Sequence, residues 1–196
     1  MKEILKKSLE NSVCYLEYRN KIKDYLLQDV SQFSLDEQHL HHYTQLNEAR
    51  MNRIEKTVAL DNITINALKS ISKKYVWLLI SEGWCGDSAQ IVPILSKMAD
   101  ASENIDLKIV FRDENNGLMD LFLTNHSRSI PKLIILDAPT LTVINTWGPR
   151  PLGATSLVNN YKLENGVFDE NGKIALQKWY LQDKGASVQN EILELL

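Results

Sequence analysis

Apolar residues follow a helical period through the first 60 residues of the chain. They recur three and four positions apart, the spacing that places side chains on one face of an α-helix. Four such positions predict the first helix: Leu5, Leu9, Val13 and Leu16. Ser34 and Glu37 form a capping box that opens a second helix, and Asp61 or Asn62 caps a third. Residues 1–60 are therefore predicted to form a helical extension.

The middle of the chain changes to continuous apolar runs separated by helical segments. Residues 75–80 and 107–111 are apolar on both faces, which is typical of strands buried on both sides of a sheet. A helical pattern lies between them, so the two strands are predicted to be parallel with a right-handed crossover. A helix is predicted over 115–125, a hairpin over 132–146 and a closing helix over 154–162. The element order βαβαββα follows.

The end of the chain returns to helical spacing. Residues 174–181 predict a further helix, and the Lys184-Gly185 pair predicts its end. The chain is therefore divided into a helical N-terminal extension over 1–60, an α/β core over 61–166, and a helical C-terminal tail over 167–196 packed on the core.

Composition and charge narrow the class of protein. The net charge of −3 argues against nonspecific nucleic-acid binding, which needs a basic surface. No apolar run approaches the roughly 20 residues that span a bilayer, so no membrane association and no secretory signal are expected. Two cysteines, Cys14 and Cys85, do not make a disulfide framework, and they predict a cytoplasmic protein. The cluster of His39, His41 and His42 has no cysteine nearby, and neither a metal nor another cofactor is expected.

The candidate chemistry lies where the first apolar run gives way to a helix. Five consecutive residues occupy this turn: Trp84, Cys85, Gly86, Asp87 and Ser88. The first N–H groups of a helix lack partners and its dipole favours negative charge, which can lower a thiol pKa. Cys85 is therefore predicted to be a partly exposed nucleophile with a low pKa. Asp87 either opposes thiolate formation or caps the helix.

These residues resemble the thioredoxin-like superfamily, whose hallmark is Trp-Cys-Gly-Pro-Cys between the first core strand and its helix. Asp87 replaces the proline and Ser88 replaces the second cysteine, so the site is similar to a CxxS single-thiol variant. Further residues fit the family in the right order: Pro93, Ile130, Pro131, Trp147 and Gly148. The resemblance implies a thioredoxin-like α/β fold, with a central mixed sheet flanked by helices.

The resemblance also implies a substrate groove. The family places a cis proline opposite the cysteine, so Pro131 is the expected cis residue, and the exposed backbone of Ile130 can pair with an extended substrate. For this groove the resemblance also implies apolar walls formed by Trp84 and Trp147. It implies that Gly148 closes the groove and that Arg150 is a cation at its rim.

A single thiol limits the possible reactions. Ser88 cannot resolve a disulfide, so an intramolecular dithiol cycle at this site is excluded, although Ser88 can donate a hydrogen bond to Cys85. The leading hypothesis is monothiol exchange: Cys85 attacks a disulfide and forms a mixed disulfide, which an external thiol such as glutathione then resolves. The expected partner is a protein disulfide or a low-molecular-weight thiol.

Two other functions remain open. Leu79 stands where many dithiol family members bury an acidic residue, which favours a redox-inactive module that binds a protein or peptide. The third hypothesis is a thiol-dependent transferase or sensor in which Cys85 is conjugated or oxidised.

Overall fold

A four-stranded sheet forms the centre of the computed structural model, which describes residues 1–196. Its strands are β1 (Tyr75–Ser81), β2 (Ile105–Phe111), β3 (Lys132–Asp137) and β4 (Val143–Trp147). Their order across the sheet is β2-β1-β3-β4; β1 is parallel to β2 and antiparallel to β3, and β4 is antiparallel to β3. The predicted thioredoxin-like α/β class with a mixed sheet is confirmed.

Nine α-helices flank the sheet; four of them precede β1 in the chain and three follow β4. They are α1 (Lys2–Glu10), α2 (Tyr15–Leu26), α3 (Leu35–Thr57), α4 (Asn62–Lys69), α5 (Gly86–Asp100), α6 (Asn116–Met119), α7 (Leu152–Asn165), α8 (Glu170–Asp183) and α9 (Ala186–Leu193). None of them combines the length and the apolar character that crossing a membrane requires.

The residues that the sequence predicts to begin or end three of the helices are confirmed. The Ser34 hydroxyl accepts a hydrogen bond from the Glu37 N–H, and the Glu37 carboxylate accepts one from the Ser34 N–H, so the capping box opens α3. The Asp61 carboxylate caps α4. Lys184 and Gly185 both adopt left-handed backbone conformations, which end α8 and turn the chain into α9.

The two faces of β1 lie in separate hydrophobic layers because side chains alternate along a strand. Trp77 and Leu79 pack with α3, α5, α8 and α9 on one face. Leu78 and Ile80 pack with α1 and α6 on the other face, in the cluster that also holds Cys85. The extension and the tail therefore both contribute to the core.

The predicted first helix is interrupted. Val13 forms an antiparallel bridge with Ile109, in which each N–H donates to the carbonyl of the other residue at 2.9 Å. This bridge pairs backbone groups at the outer edge of β2, which the helical spacing does not reveal. Leu16, which the same spacing places on the apolar face, is 68% exposed on α2.

The helix predicted over 115–125 is also wrong in length. The α-helix ends at Met119, and the chain then turns with Asn125 and His126 at positive φ. Phe122 nevertheless reaches the same hydrophobic layer as Leu118. The apolar spacing reflects burial of these residues, but not a continuous helix.

Candidate functional site

Cys85 is the residue that precedes α5, at the end of the turn that follows β1. Its Sγ accepts a hydrogen bond from the Ser88 N–H at 3.5 Å and donates one to the Ile130 carbonyl at 3.4 Å. The Ile130–Pro131 peptide bond is cis. The sulfur thus lies between the first turn of α5 and the segment that enters β3.

The thiol is protonated at neutral pH. Cys85 is only 8% exposed, and this burial raises its pKa to about 11, with a further contribution from the Asp87 carboxylate. Hydrogen bonds from Ser88 and from the Asp87 N–H act in the opposite direction but are outweighed. The expectation of a partly exposed thiol with a low pKa is therefore wrong, because desolvation exceeds the effect of the helix N-terminus.

Asp87 is buried and holds two partners. Its Oδ2 accepts from Nη2 of Arg150 at 2.6 Å, and its Oδ1 accepts from the Tyr180 hydroxyl at 2.8 Å. Burial raises the pKa of Asp87, while Arg150 and Tyr180 lower it. Of the two roles considered for Asp87, the structure supports opposition to the thiolate, since Cys85 itself occupies the cap position.

Ser88 contacts the thiol mainly through its backbone N–H. The residue is fully buried, and its hydroxyl makes no hydrogen bond of good geometry. Its N–H is the group directed at the sulfur of Cys85. An unpaired buried hydroxyl is unfavourable for the stability of the folded protein.

A groove of about 750 Å³ opens beside the motif. Its base is formed by motif residues and the cation opposite them: Trp84, Cys85, Gly86, Asp87 and Arg150. One wall comes from α3: Leu40, Tyr43, Leu46 and Arg50. The other wall comes from α8 and the residues before it, among them Phe168, Lys173, Ile174, Gln177 and Leu181. Both ends of the chain therefore build the groove around the cysteine.

The other residues expected in a substrate groove do not line this cavity: Ile130, Pro131, Trp147 and Gly148. Trp147 is buried, and its indole N–H donates to Glu191 of α9 at 2.8 Å, so it belongs to the core and does not line this cavity. Gly148 has a φ of +112°, and a Cβ there would collide with the Pro131 carbonyl. Ile130 is buried and contributes its carbonyl to the thiol.

Three side chains at the site are not indicated by any motif in the sequence. Tyr180 bonds to Asp87, while Arg50 and Gln177 border Gly86 from opposite walls of the groove. No spacing in the sequence connects these residues with Cys85, because α3 and α8 meet the motif only through the fold. Leu46 and Ile174 on the same two helices are apolar and exposed, but their exposure is known only from the structure.

Glu82 forms a second, separate feature at the end of β1. Its Oε1 accepts from the Asp113 N–H at 3.0 Å, and burial raises its pKa to about 7. It lines a cavity of about 460 Å³ together with Lys21, Asp24 and Glu114. Glu82 bonds to Asp113 and not to the thiol, so it does not replace the acid that is absent at Leu79.

The mixed sheet, the cysteine at the start of α5 and the cis Ile130–Pro131 bond opposite it define a protein of the thioredoxin-fold class. A family model described as thioredoxin matches residues 34–162, and the chain belongs to this family.

Two solved structures share the fold. One is a protein of unknown function from Pseudomonas aeruginosa, with a TM-score of 0.60 and 15% identity over 96% of this chain and 93% of that chain. The other is an HIV epitope scaffold, with a TM-score of 0.52 and 16% identity over 93% of this chain and 97% of that chain. No curated protein matches the chain significantly.

Proposed function

We propose that the protein catalyses thiol–disulfide exchange through the single thiol of Cys85. One observation carries the proposal: the Cys85 sulfur accepts the Ser88 N–H at the start of α5 while the residue lines the base of a 750 Å³ groove. A substrate in this groove meets a sulfur that already has a backbone donor for its negative charge. The partner is a protein disulfide or a low-molecular-weight thiol in its oxidised form.

The proposed reaction begins with a protonated thiol. Cys85 loses its proton, and Sγ attacks one sulfur of the substrate disulfide; a new S–S bond forms while the substrate S–S bond breaks. The departing sulfur leaves as a thiolate and takes up a proton from solvent. An external thiol then attacks the mixed disulfide, is itself joined to the substrate sulfur, and releases Cys85.

The test isolates Cys85 in a Cys14→Ser variant. We expect alkylation that is slow at neutral pH and still increases with pH above about 8.5, the pKa of an unperturbed cysteine thiol. Incubation with glutathione disulfide should yield one mixed disulfide by intact mass, reversible by added thiol. A Cys85→Ser variant, which keeps the exposed Cys14, is the matched control. If no mixed disulfide forms at any pH at which the protein stays folded, the proposal is wrong.

A second candidate function is a redox-inactive module that binds a peptide. The raised pKa of Cys85 and the apolar positions along both groove walls favour it. A Cys14→Ser/Cys85→Ser variant separates the two functions, because it has no thiol for exchange but leaves peptide binding intact.

A further inference from the structure

Arg50 is held in a defined orientation next to the cysteine turn. Its Nη1 donates to Oδ1 of Asn47 at 2.7 Å. Asn47 is fully buried, and its Nδ2 donates to the Gly83 carbonyl at 2.9 Å, in the connection between β1 and α5. This buried amide therefore fixes the guanidinium relative to the motif, although Arg50 belongs to a helix far away in the chain.

The charge of Arg50 is not balanced by a carboxylate. Arg50 forms no salt bridge, whereas both acids that line the groove already have cationic partners: Asp87 pairs with Arg150 and Glu170 with Lys173, each at 2.6 Å. Burial and the neighbouring Arg53 lower the pKa of Arg50, in keeping with an uncompensated cation. The groove therefore has surplus positive charge beside the reactive sulfur, in a chain whose net charge is −3.

Gln177 brings a second donor to the same place. Its Oε1 accepts from Nε2 of Gln90 at 2.6 Å, and Oε1 of Gln90 accepts from Arg53 at 3.1 Å. This relay turns the NH₂ group of Gln177 toward Gly86, where a Cβ would lie 3.8 Å from Nε2 of Gln177 and 3.6 Å from Nη1 of Arg50. Two oriented donors thus border the space in front of Gly86, the residue that follows Cys85.

We propose that Arg50 and Gln177 form an anion subsite that binds a carboxylate of the substrate while Cys85 reacts with its sulfur. The preferred substrate is a low-molecular-weight disulfide that carries a carboxylate a short linker away from its sulfur. The groove has the size typical of small-molecule sites, and its donors are placed to orient such a group. The substrate class rests on the exchange function proposed above; the anion subsite itself does not.

The first test compares three small disulfides that differ in charge: 3,3′-dithiodipropionate, bis(2-hydroxyethyl) disulfide and cystamine. The rate of mixed-disulfide formation is measured by intact mass on the Cys14→Ser protein. We expect the anionic disulfide to react fastest and the cationic one slowest, with about a tenfold span at low salt that narrows as salt screens the charge. Equal rates for all three disulfides would overturn the proposed substrate class.

The second test asks whether Arg50 causes the preference for the anionic disulfide. An Arg50→Gln change should remove most of the advantage of the anionic disulfide, and Arg50→Lys should keep part of it. Lys56→Gln is the matched control, because it removes the same charge from an exposed position of the same helix. An unchanged preference in Arg50→Gln, or an equal loss in Lys56→Gln, would overturn the assignment.

A measurement without any reaction separates the subsite from the exchange function. The Cys14→Ser/Cys85→Ser protein is titrated with 3,3′-thiodipropionate, a thioether that cannot exchange, and with neutral 2,2′-thiodiethanol. We expect the amide resonance of Gly86 to shift with the dicarboxylate only, and the shift to be lost in Arg50→Gln. No shift would overturn the subsite even if Cys85 exchanges disulfides; a shift with an unreactive Cys85 would support the subsite and refute the exchange function.

Discussion

The Tyr180 hydroxyl on α8 donates a hydrogen bond to Oδ1 of Asp87, 93 positions earlier in the chain, at 2.8 Å. Asp87 in turn raises the pKa of the Cys85 thiol. The C-terminal tail therefore contacts the acid that, after burial, contributes most to the raised pKa of the cysteine. Through Tyr180 the tail therefore belongs to the site as well as to the packing of the core.

Removal of this hydrogen bond should reduce stability. In Tyr180→Phe a buried carboxylate loses one of its two partners, and we expect the free energy of unfolding at neutral pH to fall by about 2 kcal/mol. Denaturant unfolding monitored by circular dichroism measures the change. Tyr161→Phe is the matched control, since it removes a similar hydrogen bond to the exposed Asp169 and should change little. Equal effects in the two variants would contradict the structural role of Tyr180.

Neutralisation of Asp87 should make the thiol more reactive. Asp87→Asn removes a negative charge that raises the pKa of Cys85 and frees the Arg150 guanidinium to stabilise the thiolate. We expect the pKa of Cys85 to fall and alkylation at pH 8 to be faster by about tenfold, the effect of one pKa unit. Asp120→Asn, which breaks an exposed pair with Arg128, should leave the rate unchanged. An unaltered rate in folded Asp87→Asn protein would refute the electrostatic control.

Glu82 should make the protein less stable as the pH rises. Its pKa is raised from 4.5 to about 7, so the folded state keeps a proton that the unfolded state loses within this window. Its contribution to the free energy of unfolding therefore falls between these pH values, by about 3 kcal/mol in total. Glu82→Gln should remove most of this slope in denaturation curves at pH 5 and pH 7.5. Glu114→Gln, an exposed acid at the same cavity, should keep it.

Gly148 should tolerate no side chain. Its φ of +112° is unfavourable for other residues, and a Cβ would collide with the Pro131 carbonyl. We expect Gly148→Ala to reduce the free energy of unfolding by about 3 kcal/mol. Gly117→Ala is the control: nothing lies within 4 Å of its Cβ position, and alanine favours the helix by up to about 1 kcal/mol. A neutral Gly148→Ala variant would show that this close approach is absent.

Features set by neighbouring residues are predictable from the sequence. The capping box of Ser34 and Glu37 and the helix end at Lys184 and Gly185 depend on contacts within a few positions. The buried strands β1 and β2 are recognisable because their apolar runs are short and rich in β-branched and aromatic residues, which favours a strand over a buried helix segment. The cysteine turn before α5 can be located for the same reason, since strand, turn and helix follow one another directly.

Features set by distant contacts are not predictable in this way. The local pattern places Val13 in a helix because its bridge to Ile109 leaves no trace among the neighbouring residues. The pKa of Cys85 depends on how completely other segments bury it, and the helix N-terminus suggests the opposite direction. Trp147 lies in the core and not in the groove because its partner, Glu191, lies on a helix of the tail. In each case the deciding atom is distant in sequence.

The two groove walls come from opposite ends of the chain, and the residues that match the family model stop at 162, before α8 begins at Glu170. Substitutions in α3 and α8 can therefore alter what enters the groove while the cysteine turn stays the same. Proteins that share this motif can differ in the molecules they accept, and the motif alone does not define a substrate. Comparisons of this chain with its relatives become informative about substrate choice when they include the helix that carries Gln177 and Tyr180.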